Sequence, residues 1–393
     1  MQRLYYFNPD TDLALANNDP NFMSPQAIRW LAKDLALLPI WYAQRGSVVL
    51  VDQSVDKIYL DYLKSIFDLD VHLLLESEII SDKLDLQLYP WGWNLAVRRK
   101  FERLGFPEAK IKSVDQIDMI RNLSSRVWMK SLLNALPHNS SFCGQSQVLI
   151  SLDDLLSLAI DLDRFLLKAP FSGSGRGLKW CRYGLDKASL SWFDNTIKQQ
   201  KSVIAEPIYE RVEDFAMEFE LVDSTQISFI GYSYFKTTDN GVYLGNHLLS
   251  DDEFRLRIER EYFEDGFLFS VRQQLMKVLL AHYGQGYRGV LGVDMMVCKA
   301  TDESFKLHPC VEVNLRMNMG VVARFFYERF VREGKQGRFA VDFSKTQGET
   351  LAMHIERQNK YPLVLEKGKI ISGYLSLSAV TSESQCQAWV IVE

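Results

Sequence analysis

The sequence predicts a fold that is α/β at its N-terminus and α+β beyond it. Three observations carry that expectation. Residues 1–112 alternate short apolar runs with amphipathic stretches, the pattern of a parallel sheet covered by helices on both faces. Residues 113–200 begin with helical segments and end on two apolar runs flanking a glycine-rich stretch. Residues 201–393 hold longer strand-like runs interrupted by one long amphipathic helix. These three ranges are taken as the domain-level units, consistent with two to three domains at roughly 150 residues each.

In the first unit, 4–7, 48–51 and 71–75 read as buried strands. Ser24-Pro25 reads as a cap followed by a proline at the first helical position, with a helix over 26–38 and another over 60–67. No GxGxxG follows the first strand, so a dinucleotide site is not supported there. In the second unit, helices fall within 117–136, closed by Pro137, and over 152–160; strands fall over 164–169 and 178–183. In the third, strands are expected over 203–205, 215–222, 227–235, 290–297 and 305–313, with a helix over 267–282. A helix near 350–357 and strands near 370–375 and 388–392 follow.

A 47% hydrophobic and 24% charged composition excludes wholesale disorder. The net charge of −5 argues against a broad nucleic-acid surface while leaving room for a local positive pocket. The five cysteines form no CxxC pair, which indicates free thiols in a reducing compartment rather than a zinc ribbon or disulfide framework. The N-terminal residues lack the apolar core of a signal peptide, and no apolar run approaches the roughly 18 residues of a membrane span. A cytoplasmic protein without a membrane partner is expected. No histidine has a companion at metal-ligand spacing. His282 reads as a helix cap, and His308-Pro309 as a turn as readily as a substrate contact.

The strongest local signal is Lys168-Ala169-Pro170-Phe171-Ser172-Gly173-Ser174-Gly175-Arg176-Gly177. Its glycines let the backbone turn amides toward one object, and its serines and cations suit a polyphosphate. The flanking runs make it a strand–loop–strand flap, unlike a phosphate loop feeding a helix. A mobile turn with solvated charges is the alternative. A second signal is acids within apolar strands: Asp294, then Glu312-x-Asn314-x-Arg316. Alternation puts Glu312 and Asn314 on one face. Two carboxylates and an amide oxygen suit Mg²⁺, whereas a buried Asp294–Arg316 ion pair is the competing reading. Between these signals, an apolar strand ends at Glu206-Pro207-Ile208, a hinge with free backbone groups; Glu213, Asp214 and Glu218 follow as candidate acids. Glu210 and Arg211 read as a solvated loop. Segments 8–12 and 91–94 read mainly as turn and cap, although the first follows a strand of an open sheet, where ligands bind.

In this order, Lys168 with its flap, Glu206-Pro207, Asp294 and Glu312-x-Asn314-x-Arg316 resemble the ATP-grasp superfamily over roughly residues 113–330. The resemblance implies two α+β lobes gripping ATP behind a Rossmann-like N-terminal α/β domain. It implies Lys168 at the adenine side and α-phosphate, and Ser172, Gly173, Ser174, Gly175, Arg176 and Gly177 over the β- and γ-phosphates. Glu206, Pro207 and Ile208 take adenine, Asp214 or Glu213 the ribose, and Asp294, Glu312 and Asn314 one or two Mg²⁺. Arg316 stands near the γ-phosphate and an acceptor carboxylate. The family's second nucleotide-binding lysine is absent; Arg126 stands in that region, 42 residues before Lys168. The implied activity is an ATP-dependent ligase joining a small-molecule or peptide carboxylate, activated as an acyl phosphate, to an amine or similar nucleophile, with Lys168 and Arg316 as catalytic groups. A kinase-like phosphotransferase, or a nucleotide-binding module without ligase chemistry, are the alternatives.

Overall fold

The computed structural model describes residues 2–52, 55–79, 85–173 and 177–393. The chain begins with a four-stranded parallel sheet of order β3-β2-β1-β4, made of β1 (Gln2–Tyr6), β2 (Ser47–Val51), β3 (Val71–Leu75) and β4 (Leu86–Pro90). Every residue of β2, Ser-Val-Val-Leu-Val, is buried, as the continuous apolar run of a two-sided parallel strand requires. The accompanying helices are α1 (Thr11–Asn17), α2 (Gln26–Asp34), α3 (Val55–Ile66) and α4 (Leu95–Arg103).

The helix expected over 26–38 stops at Asp34, and Leu38–Trp41 forms a 3₁₀ turn. The ladder shifts to i−3 bonds at Ala36 and Leu38, and Pro39 sits at the start of the 3₁₀ turn, where its missing N–H is tolerated. Pro25 precedes the helix rather than opening it, and the Ser24 hydroxyl bonds Asp10 instead of capping.

The next segment contains α5 (Val114–Leu123), a 3₁₀ turn at Arg126–Trp128, and α6 (Met129–Ala135). The helical stretch is therefore broken. The Ser124 hydroxyl turns back to the Ile120 carbonyl, and the Ser125 hydroxyl caps the new turn. β5 (Gln147–Leu149), α7 (Leu152–Asp161), β6 (Phe165–Lys168), β7 (Leu178–Cys181), α8 (Lys187–Gln200) and β8 (Val203–Pro207) follow. Their antiparallel sheet has the order β5-β8-β6-β7. β6 and β7 form the expected hairpin, with Lys168 opposite Leu178.

The remaining strands build a nine-stranded sheet of order β13-β12-β9-β10-β11-β14-β17-β16-β15. They are β9 (Glu210–Leu221), β10 (Ile227–Thr237), β11 (Tyr243–Leu248), β12 (Gly289–Lys299), β13 (Phe305–Asn314), β14 (Gly337–Phe343), β15 (Val364–Glu366), β16 (Lys369–Ser376) and β17 (Cys386–Val392). Period-two alternation divides its long strands. Phe215, Met217 and Phe219 of β9 and Val293, Met295 and Val297 of β12 join the core under α9 (Asp251–Tyr262) and α10 (Phe267–Tyr283). Asp214, Ala216 and Glu218 occupy the alternate positions of β9 and line a cavity above the sheet. Helices α11 (Met319–Phe330) and α12 (Glu349–Lys360) complete the chain. No helix among the described residues is long and apolar enough to cross a membrane.

One core cluster joins the parallel sheet to α11, β14, β16 and β17. Trp41 sits in it, fully buried, with ring centroids 5.2 Å from both Phe326 and Phe330. Its indole N–H donates to the Leu377 carbonyl at 2.8 Å. Trp41→Ala is expected to cost about 3–5 kcal/mol in denaturant unfolding, from lost burial plus the cavity left behind.

Candidate active site

A cavity of about 510 Å³ separates the small antiparallel sheet from the face of the large one. Leu166, Leu178 and Trp180 line it from one side, Ile208 and Pro207 from the hinge, and Met296 and Asp214 from below. Asp12, Arg126, Lys168, Glu218, Asp294, Glu312, Asn314 and Arg316 supply its charged and polar lining along one flank.

Lys168 ends β6, and β8 runs antiparallel beside it with Glu206 opposite Leu166. That register brings the Lys168 ammonium to 2.6 Å from the Glu206 carboxylate, with each side chain only 5% exposed. Arg126 is equally buried and makes four contacts. It donates to the Ala169 carbonyl at 2.8 Å, the Ser172 hydroxyl at 2.6 Å, the Ser172 carbonyl at 2.7 Å and the Glu312 carboxylate at 2.6 Å. The break after α5 is what turns Arg126 inward. Its planar fork spans flap backbone and acidic strand together, which a lysine could not do.

Ser172 lies on a smaller cleft beside Asp12, Glu312 and Arg316. A side chain at Gly173 would collide with the Asp12 carboxylate. Gly177 has φ +69°, and a Cβ there would meet Ser172. The backbone at Gly177 thus needs glycine, and a larger residue at Gly173 would have to displace Asp12. Ser174, Gly175 and Arg176 lie outside the described residues.

On the sheet, Asp294 of β12 pairs directly with Glu312 of β13, and Gly292 with Asn314. Two carboxylates therefore face each other across adjacent strands, an arrangement that costs energy without a cation between them. Burial, then repulsion from Glu312, pushes the Asp294 carboxyl up to about 7, although Arg316 and Asn314 counteract. The Asn314 amide donates to Asp294 at 3.2 Å. Among the described residues no group of three His, Cys, Asp or Glu side chains forms a metal cage. Two carboxylates and one amide oxygen nevertheless fit Mg²⁺, which takes one or two carboxylates and completes its shell with water and phosphate oxygens.

Arg316 does not pair with Asp294, as the competing reading had it. It makes a bidentate contact with Asp12, at 2.8 and 2.7 Å, and reaches Asn314 at 2.9 Å. Burial opposes the guanidinium charge, but Asp12, with Glu312 and Asp294, outweighs it and holds Arg316 more firmly protonated than usual. Segment 8–12 turns at Pro9-Asp10 and then enters α1 at Thr11, with Asn8 bonded to Thr11 and the Gly92 carbonyl, and Asn94 caps α4 as expected. Asp12, in the first turn of α1, reaches the cavity, and the Met317 amide donates to the Trp91 carbonyl at 2.9 Å.

Asp214 faces the cavity and accepts from Thr237 at 2.6 Å, whereas Glu213 takes the opposite side and accepts from the Tyr234 hydroxyl at 2.7 Å. Arg211 is not a solvated loop residue; it lies in β9, bonds Asp214 at 3.0 Å and lines the cavity. His308 is inside β13 rather than in a turn. Burial, then the nearby Lys168 charge, lowers its pKa to about 3, and its ring meets Tyr209 edge-on at 5.5 Å. His282 stays within α10, its Nδ1 3.0 Å from the Val278 carbonyl oxygen.

Two groups lacked any local sequence signal, Ser233 and Asn246, linked at 2.7 Å beside Glu218. Asp12 was marked only by its place after the first strand of an open sheet. Glu218 fits where Gly292 and Gly320 leave room, and accepts from Asn318 at 2.8 Å. Burial dominates, outweighing the Asn318 bond, and with a smaller repulsion from Asp294 it raises the Glu218 carboxyl to about 8. The folded chain keeps a proton that the unfolded chain releases, so this group makes stability fall as pH rises from about 4.5 to about 8. Glu218→Gln is expected to flatten part of that slope. In melts with chelator present, it should gain about a few degrees over wild type near pH 8 and little near pH 5.

No family model matches the chain, and no curated protein matches it in sequence. Solved structures do match. A biotin carboxylase–β,γ-ATP complex from Campylobacter jejuni superposes with TM-score 0.53 at 13% identity, covering 100% of this chain and 88% of that one. The N5-carboxyaminoimidazole synthetase of Staphylococcus aureus complexed with ADP gives 0.51 at 11% identity, covering 100% and 94%. The similarity is one of architecture, spanning the parallel sheet, the small antiparallel sheet and the large one. The chain has the ATP-grasp fold.

Proposed function

We propose that this chain is a cytoplasmic, Mg²⁺-dependent ATP ligase that activates a carboxylate as an acyl phosphate and passes it to an amine. One observation carries the reading: cations from the flap side, Arg126 and Lys168, meet the opposed acids Asp294 and Glu312 and the Arg316 fork around one cavity. The nucleotide complexes of the two similar structures support an ATP site in the same fold. In this reading residues 1–112 help hold the acceptor, 113–200 close over ATP, and 201–393 form the floor.

Leu166, Trp180, Ile208 and Met296 enclose adenine, with hinge backbone at its edge and Asp214 at the ribose. Lys168 and Arg126 hold phosphate oxygens together with flap amides. Asp294, Glu312 and Asn314 would hold Mg²⁺, which supplies charge neutralisation for the phosphates. Arg316 orients the acceptor carboxylate. A carboxylate oxygen forms a bond to the γ-phosphorus as the bond to ADP breaks. The amine nitrogen then bonds the acyl carbon, phosphate leaves, and the amine gives up a proton. Positioning and fixed charges do this work without a protein nucleophile.

The test is ADP release from MgATP with a carboxylate and hydroxylamine, which traps an acyl phosphate as a hydroxamate. Hydroxamate formation that needs both Mg²⁺ and the acid supports the ligase. A stable phosphorylated product that hydroxylamine does not intercept marks a phosphotransferase instead.

A further inference from the structure

We infer that the end of the cavity beyond the phosphate site binds the apolar body of an unphosphorylated substrate, an aliphatic or aromatic carboxylic acid. This deepens the ligase reading and rests on it. Past Arg316 the cavity is walled by Pro9, Ile28, Leu31 and Trp91, with Met319 and Tyr243 also lining it. Helix α2 supplies Ile28 and Leu31, three residues apart and so on one face. That helix is strongly amphipathic, yet none of its residues is fully buried. An apolar stripe that only packed against a core would be covered. Here Leu31 and Trp30 touch the neighbouring core, and the Ile28–Leu31 face also borders the cavity. The helix is fixed in place: the Asp34 carboxylate accepts from the Gln385 and Cys386 amides at 2.7 and 2.9 Å.

Charge points the same way. The described cations lining the cavity are Arg126, Lys168, Arg182, Arg211 and Arg316. Arg126 and Lys168 belong to the flap side, Arg182 follows β7, and Arg211 lies in β9. Only Arg316 adjoins the N-terminal loops, and Asp12 already holds its fork. The other acidic groups beside it are Glu218, Asp294 and Glu312. A phosphomonoester at this end would lose its hydration and find no unpaired side-chain cation past Arg316. An apolar group gains by leaving water, and a single carboxylate can share Arg316 with Asp12.

The experiment measures hydroxamate from MgATP and hydroxylamine with leucine, phenylalanine, 3-phenylpropionate, aspartate and 3-phosphoglycerate as acids. Product from one or more apolar acids, exceeding that from aspartate and 3-phosphoglycerate, is the expected result. Ile28→Asn should then raise KM for the active acid on the order of tenfold while kcat and the KM for ATP stay near wild type. Leu31→Ala, checked by thermal melt, should do the same. Preference for 3-phosphoglycerate or aspartate, or an unchanged KM in both folded variants, overturns the inference and leaves the ligase standing. No hydroxamate with any acid overturns both.

Discussion

Lys168→Ala is expected to lose both stability and turnover, and the two losses should separate in a double variant. The Lys168–Glu206 pair is 2.6 Å apart and 5% exposed at each member. Removing the lysine strands a carboxylate in a dry site, at a cost of about 3–5 kcal/mol. Glu206→Gln in the same chain removes that stranded charge, so denaturant unfolding should return most of the way to wild type. Activity should not return. Lys168 is proposed to neutralise phosphate charge as it develops, and losing one such group costs on the order of 10²–10³ in turnover. If ADP release recovers along with stability in Lys168→Ala/Glu206→Gln, the lysine is only a structural partner of Glu206.

Glu312→Gln is expected to behave in the opposite way, losing activity while keeping the fold. Glu312 accepts from Arg126, but Arg126 retains the Ala169 carbonyl and two Ser172 acceptors. The substitution also removes the repulsion that Glu312 exerts on Asp294 across the strand pair. These effects oppose each other, so unfolding in chelator should change by no more than about 1 kcal/mol. Turnover should fall on the order of a hundredfold, and the Mg²⁺ concentration for half-maximal rate should rise. Wild-type Mg²⁺ dependence in this variant removes Glu312 from the proposed metal site.

The contrast between the two variants reflects what was legible in the sequence. The glycine-rich hairpin and the acids within apolar strands are local patterns, and the structure brings Lys168, Glu206, Asp294, Glu312, Asn314 and Arg316 to one cavity. Their partners were not legible. Asp12 meets Arg316 across 304 positions, and Arg126 meets Glu312 across 186. No periodicity encodes such a pairing. The long strands β9, β10, β12 and β13 announced themselves by apolar content. β11, Tyr-Leu-Gly-Asn-His-Leu, did not, because its place between β10 and β14 comes from ladder pairing rather than propensity. Helical segments within 117–136 were legible, but the place of their break was not, since two serine hydroxyls competing for backbone leave little trace in an amphipathic pattern.

The shared core around Trp41 also sets an order of events during synthesis. Trp41 is near the start of the chain, yet its indole partner is 336 positions later and Cys386, Ala388 and Val390 of β17 belong to the same cluster. A chain leaving the ribosome N-terminus first forms its parallel sheet long before the strand that covers it exists. During that interval the Trp41 face is exposed to water and to neighbouring chains, the condition under which aggregation and chaperone capture compete with folding. Strand β17 is therefore a closing piece for a parallel sheet made long before it.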